Sequence, residues 1–253
     1  MQENKITLLS TRPVDAGWVA LAAEKGIFLE AVSFIETEPI PGDEAADLRL
    51  ADLSRMPATI VFTSMNAVDA VANRISGLPD GSRSGAGWRI FCIGQATRQR
   101  VIRYFGEPAI AGTADSALSL AETILTHFRE DSRGRGDSEG FPEVIFFCGD
   151  QRRDELPDRL RENSVPVTEI VVYKTIRMAR TLERRYDGIL FFSPSAVDSF
   201  FPANQLPEGT VLFAIGATTA AAVRKHSSNR VIIGESPAKE ILIGQAIEFF
   251  TKI

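Results

Sequence analysis

The chain has 253 residues, 44% hydrophobic and 24% charged, an ordinary globular composition with material for two cores of roughly 120 residues each. A net charge of −5 and a pI near 5.3 exclude a nucleic-acid scaffold and a polybasic membrane surface. No run of about 18 apolar residues is present to span a bilayer, and the opening MQENKITLLSTRP lacks the apolar core of a secretion signal, so a cytoplasmic protein is expected.

In chain order, short apolar runs predict strands near 5–9, 28–35, 58–63, 88–93, 108–111, 143–148, 167–173, 187–192, 210–215 and 230–233. Between most of them lie stretches with helical periodicity, such as TRQRVIRYF (97–105) and SALSLAETILTHF (116–128). That alternation is the pattern of α/β units with parallel sheets. GLPDGSRSGAG (77–87) and SRGRGDSEGFP (132–142) read as solvated loops. Cys92 and Cys148 fall inside apolar runs and read as reduced core thiols. Neither has the closely spaced partners that zinc requires, so no metal is expected. His127 and His226 end helical patterns outside any nucleophile–histidine signature.

The chain repeats itself. Phe91–Leu125 aligns without a gap on Phe213–Ile247 at an offset of 122, pairing Gly94 with Gly216, Thr97 with Thr219 and Gly112 with Gly234. VFTSMNAVDAV (61–71) aligns on LFFSPSAVDSF (190–200) at an offset of 129. A weaker pair joins 5–37 to 143–175 at an offset of 138. Open α/β sheets bind ligands beyond the carboxyl ends of their strands, where helices begin. Ser64, Asn66, Thr97, Ser193, Ser195, Thr218 and Thr219 all fall at such junctions. Helix starts offer unpaired N–H groups and partial positive charge to carboxylates and phosphates. Each residue alone also reads as a simple N-cap; gathered at matching positions of two domains, they point to a cleft that grips an anionic ligand.

These residues carry a resemblance. STRP (10–13), FTSMNAV (62–68), IGQAT (93–97), ADSALSLAETI (114–124), VVYKT (171–175), FFSPSAV (191–197) and IGATTAAAV (215–223) resemble, in order and spacing, the uroporphyrinogen-III synthase family across nearly the whole chain. The resemblance implies an α/β fold of two flavodoxin-like parallel-sheet domains joined by a two-segment β linker. Domain 1 would be 1–36 with 177–253, domain 2 would be 41–169, and 37–40 with 170–176 would be the linker. The repeat alone does not choose between this crossover and two consecutive domains.

The resemblance further implies a cyclising hydro-lyase of tetrapyrrole (heme) biosynthesis that uses no cofactor. Its substrate is hydroxymethylbilane, a carboxylate-rich linear tetrapyrrole, closed with loss of water and inversion of the last pyrrole ring. Tyr173 is then the donor to the departing hydroxyl, or a hinge aromatic. Ser64, Asn66, Gly94, Thr97, Ser116, Ser193, Ser195, Gly216, Thr218 and Thr219 bind substrate. The expected setting is a cytoplasmic monomer in transient contact with the preceding pathway enzyme, with no nucleic-acid or membrane partner. One departure stands out: Cys148-Gly149 occupies a place where relatives often carry a basic or proline-containing stretch, which leaves Arg152 or Arg153 as the local anion contact. A non-catalytic two-lobed binder of a small anion is the alternative, but such proteins usually carry an export signal. A pair of receiver domains would need an acidic cluster after the first strand, and LLSTRP has none.

Overall fold

A computed structural model describes residues 6–42, 44–77, 87–132, 140–236 and 238–252. Most of both glycine-rich segments, 78–86 and 133–139, lies outside them. The chain separates into two compact units: unit 1 comprises Met1–Glu36 and Ile176–Ile253, and unit 2 comprises Thr37–Thr175.

The chain opens with β1 (Ile6–Ser10), α1 (Ala16–Glu24), β2 (Ile27–Ala31) and β3 (Ile35–Pro39). It continues through α2 (Glu44–Arg55), β4 (Ala58–Phe62), α3 (Met65–Ser76), β5 (Trp88–Ile93), α4 (Gln95–Phe105) and β6 (Ile110–Ala114). Next come α5 (Ala117–Ser132), β7 (Val144–Gly149), α6 (Glu155–Glu162) and β8 (Val167–Arg177). β9 (Gly188–Phe191), α7 (Pro194–Phe200), β10 (Val211–Ala214), α8 (Ala217–His226), β11 (Val231–Ile233) and α9 (Lys239–Thr251) close it. Among the described residues no helix is long and apolar enough to cross a membrane.

Unit 1 holds a five-stranded sheet in the order β2-β1-β9-β10-β11, parallel throughout. Counted within the unit this is 2-1-3-4-5, the order of flavodoxin-like doubly wound sheets. Unit 2 holds β3-β8-β7-β4-β5-β6, parallel from β8 to β6. Under the three sequence offsets, β8, β7, β4, β5 and β6 match β2, β1, β9, β10 and β11. Both sheets therefore share one spatial order, although the chain enters them at different strands.

The strand expected over 28–35 is instead two, β2 and β3. Phe34 breaks it by turning fully into the core, edge-on to Phe200 at 5.0 Å between ring centroids. Ser33 Oγ donates to its neighbour Ile35 O at 2.5 Å and holds the bend. β8 runs four residues past the expected end because it has a second partner. Ile40 N donates to Val172 O, and Met178 N to Phe34 O, each at 3.0 Å. Partner numbers fall as those of β3 rise, so β3 and β8 pair antiparallel. Both strands carry the chain across the boundary between the units.

Each sheet buries both faces, as parallel sheets must. In unit 2, Ile60, Phe62, Ile90, Cys92, Ile145 and Phe147 face α3 and α4 through Val68, Val71 and Val101. The alternate residues Val61, Phe91, Val144, Phe146 and Cys148 face α5 and α6 through Leu120, Ile124 and Leu160. Unit 1 repeats this: Leu8, Leu190 and Phe213 pack on α9, while Leu9, Ile189, Phe191 and Leu212 pack on α7 and α8. With both faces filled, the carboxyl edge is where each sheet leaves backbone and polar groups open to a ligand.

Candidate active site

Parallel register sets the strand ends in rows. In unit 2, Phe62 lies beside Phe147 and Cys92, and Gly149 lies beside Tyr173. Along that carboxyl edge follow Tyr173, Gly149, Ser64, Gly94 and Ser116, with Asn66 and Thr97 in the first turns of α3 and α4. In unit 1 the matching edge carries Ser193, Ser195, Gly216, Thr218 and Thr219 at the starts of α7 and α8. Every expected site residue thus falls on a carboxyl edge, in one group per unit.

The serines cap their helices. Ser64 Oγ accepts from Asn66 N at 3.1 Å, Ser193 Oγ from Ala196 N at 3.2 Å, and Ser116 Oγ from Ser119 N at 3.2 Å. In each bond the oxygen accepts, which leaves the hydroxyl proton to donate elsewhere. Thr97 and Thr219 are different. Each is the third residue of its helix, 5% and 2% exposed, and the N-cap positions belong to Gly94 and Gly216. Neither threonine is therefore the capping residue of its helix.

The two glycines are alike in space and unlike in backbone. Gly94 has φ +77°, a conformation that favours glycine, whereas Gly216 is extended. A Cβ on either would meet nothing within 4 Å, so the amides that open α4 and α8 face open space. Those amides and the threonine hydroxyls form donor sets suited to anionic oxygens.

Tyr173 is half-buried and packs its ring against the Phe62–Phe147 core. A Cβ on Gly149 would lie 2.5 Å from the Tyr173 Cζ and 2.7 Å from its hydroxyl oxygen. Only glycine leaves room there, which accounts for Cys148-Gly149 in place of a bulkier stretch. Asp150 fixes the same corner: its N–H donates to Tyr173 O at 3.1 Å and its Oδ1 accepts from Thr175 N at 2.9 Å. Gly149 and Asp150 escape a reading of motifs because they act on a strand 24 residues away; the available signal was a glycine and an acid closing a fully buried run.

Arg152 is bound by carboxylates of its own unit, Glu169 and, at 3.4 Å, Asp154. The cysteines are buried, and burial pushes each thiol up to about 11 despite the nearby Arg98 and Arg152. His226 ends α8, away from the carboxyl edge, 3.3 Å from Asp198 and stacked on Phe201. Among the described residues no group of three or more His, Cys, Asp and Glu comes together as a metal site would require.

Relatives bear directly on this arrangement. The family model described as uroporphyrinogen-III synthase HemD matches residues 17–244. Uroporphyrinogen-III synthase of Saccharomyces cerevisiae is 24% identical over 215 residues, 76% of each chain. Among solved structures, uroporphyrinogen-III synthetase from Helicobacter pylori superposes with a TM-score of 0.67 at 14% identity, covering 96% of this chain and 99% of that one. A mutant uroporphyrinogen III synthase from Thermus thermophilus gives 0.59 at 14% identity, covering 98% of both chains. At these identities the structures speak for the fold, and the family match spans most of the chain: this protein belongs to the uroporphyrinogen-III synthase family.

Proposed function

We propose that the protein converts hydroxymethylbilane to uroporphyrinogen III, with loss of water and inversion of the terminal pyrrole. The observation that carries this reading is the family match over residues 17–244, on a chain whose candidate site residues all stand at carboxyl edges. The alternative, a binder without chemistry, has no such support.

The demands of the reaction fit these groups. The substrate is a polycarboxylate, and the chain is acidic, so the attraction must be local. Helix-start amides of α4 and α8, with Thr97, Thr219, Thr218 and the protons of Ser64, Ser116, Ser193 and Ser195, supply donors without raising net charge. Asn66 adds a side-chain amide in the first turn of α3. Loss of the hydroxyl leaves an electrophilic methylene. Unassisted closure joins it to the free position of the last ring; the type III isomer requires attack by the substituted carbon, through a spiro intermediate. The protein's task is to hold the bilane so that this carbon is nearest.

Tyr173 is the donor we assign to the departing hydroxyl, which accepts the phenolic proton and leaves as water. Gly149 lets the ring lie across the end of β7, and Asp150 holds its backbone. We place the enzyme in the cytoplasm as a monomer, taking substrate from the preceding pathway enzyme. Purified protein supplied with hydroxymethylbilane, its products separated by isomer, tests the reading. Type III is expected; type I alone, at the spontaneous rate, removes it.

A further inference from the structure

The weakest of the three repeats ends differently in the two units. After β7, unit 2 places Gly149 and Asp150; after β1, unit 1 places Thr11 and Arg12. The Asp150 carboxylate is engaged by Thr175 N of its own unit. Arg12, by contrast, has an exposed side chain on a backbone held from beneath. Thr11 N and Thr11 Oγ1 both donate to Leu190 O, at 3.0 and 2.8 Å, extending the β1–β9 ladder one residue past β1. Ser10 Oγ donates to Arg12 O at 2.6 Å and accepts from Arg12 N at 3.3 Å. Ser10 and Thr11 are each 0% exposed. Buried hydroxyls are unfavourable unless bonded; here the bonds they make fix the point at which Arg12 leaves the sheet.

That point is the topological switch of unit 1. The chain leaves β1 toward β2 on one side and β9 toward β10 on the other, which opens a crevice for ligands at the carboxyl ends. The ladder sets Arg12 level with Phe192, one residue before Ser193. Among the described residues of this edge the other cation is Lys239, which is paired with Asp15 at 3.0 Å and Glu240 at 3.8 Å.

We propose that Arg12 binds a carboxylate of the tetrapyrrole and orients it at the unit 1 edge, a cation that unit 2 lacks at the matching position. The inference rests on the proposed reaction. A guanidinium suits the task because its planar fork meets a carboxylate with two parallel hydrogen bonds.

The test uses the full chain and compares Arg12→Gln and Arg12→Lys with Lys225→Gln, which removes the same charge near the end of α8, away from the carboxyl edge. Arg12→Gln raises the KM for hydroxymethylbilane about tenfold or more, the loss expected for a charge-assisted hydrogen bond. Its kcat and melting temperature stay at wild-type values, and the KM difference narrows as salt is added. Arg12→Lys recovers part of the affinity, since it keeps the charge and loses the fork. Lys225→Gln leaves KM unchanged. A wild-type KM in Arg12→Gln overturns the proposal, as does an equal rise in Lys225→Gln or a KM rise that tracks lost thermal stability. Wild-type protein that forms only type I fails in the reaction itself, a result distinct from any Arg12 outcome, and takes the inference with it.

Discussion

Units 1 and 2 keep their strands in one spatial order and differ in what closes the central strands. At the starts of α4 and α8 they agree: Thr97 and Thr219 hold the same helical position, and both preceding glycines face open space. After β1 and β7 they part, unit 1 toward the exposed Arg12 and unit 2 toward Tyr173 lying across Gly149. A duplicated scaffold thus retains what a symmetric, carboxylate-rich ligand can use twice. It diverges where one end of the ligand must be held and the other must react.

The largest break in this comparison concerns continuity. Unit 2 is one stretch of chain, whereas unit 1 borrows β1, which stands between β2 and β9 with Leu8 and Leu9 fully buried. Domain independence is our proposal on that basis. Residues 37–175 alone should give a cooperative thermal melt, and residues 177–253 alone should give none. A cooperative melt from 177–253 would mean that its sheet closes without β1.

Next in size is Gly149→Ala. Its new Cβ would sit 2.5 Å from the Tyr173 ring, so the ring must move. Displacement by about 1 Å can reduce turnover about 100-fold, and overpacking of this kind costs about 1–3 kcal/mol of stability. Tyr173→Ala in the same chain should return the melting temperature to that of Tyr173→Ala alone. If Gly149→Ala retains wild-type rate and stability, the contact has no role.

A smaller effect sharpens the likeness of the units. Thr97→Val and Thr219→Val keep shape and remove one hydroxyl each. Each should weaken product binding by about 1.5–3 kcal/mol, the range for a hydrogen bond to a charged group, measured by calorimetry, with little change in folding. Equal losses mean that both units grip the ligand; falling stability with unchanged affinity would make the threonines structural.

The sequence displayed the repeat because its polar residues stay in register with the apolar ones: Gly94 with Gly216, Thr97 with Thr219 and Ser64 with Ser193 each mark a strand-to-helix junction. Local patterning reaches that far. It does not show that Phe34 turns inward, since the cause is Phe200 at the far end of the chain. Nor does it show β3 beside β8, the need for glycine at 149, or the hold on Arg12 by Thr11 and Leu190, 179 residues apart. Contacts of that range leave no periodicity to read. The glycine pair also looks equivalent in sequence, yet only Gly94 takes a positive φ.

The account holds that unit 2 performs the chemistry through Tyr173 while the carboxyl edges set the fold of the substrate. Tyr173→Phe tests this most directly, because it keeps the ring over Gly149 and deletes only the donor. With hydroxymethylbilane supplied and product isomers separated over time, turnover should fall about 10- to 100-fold, at the lower end of general-acid effects because the hydroxyl also departs unaided. Type III should remain the main enzymatic product. Wild-type turnover in Tyr173→Phe would contradict the assignment, and fast closure to type I would show that the tyrosine steers the terminal ring instead of releasing the hydroxyl.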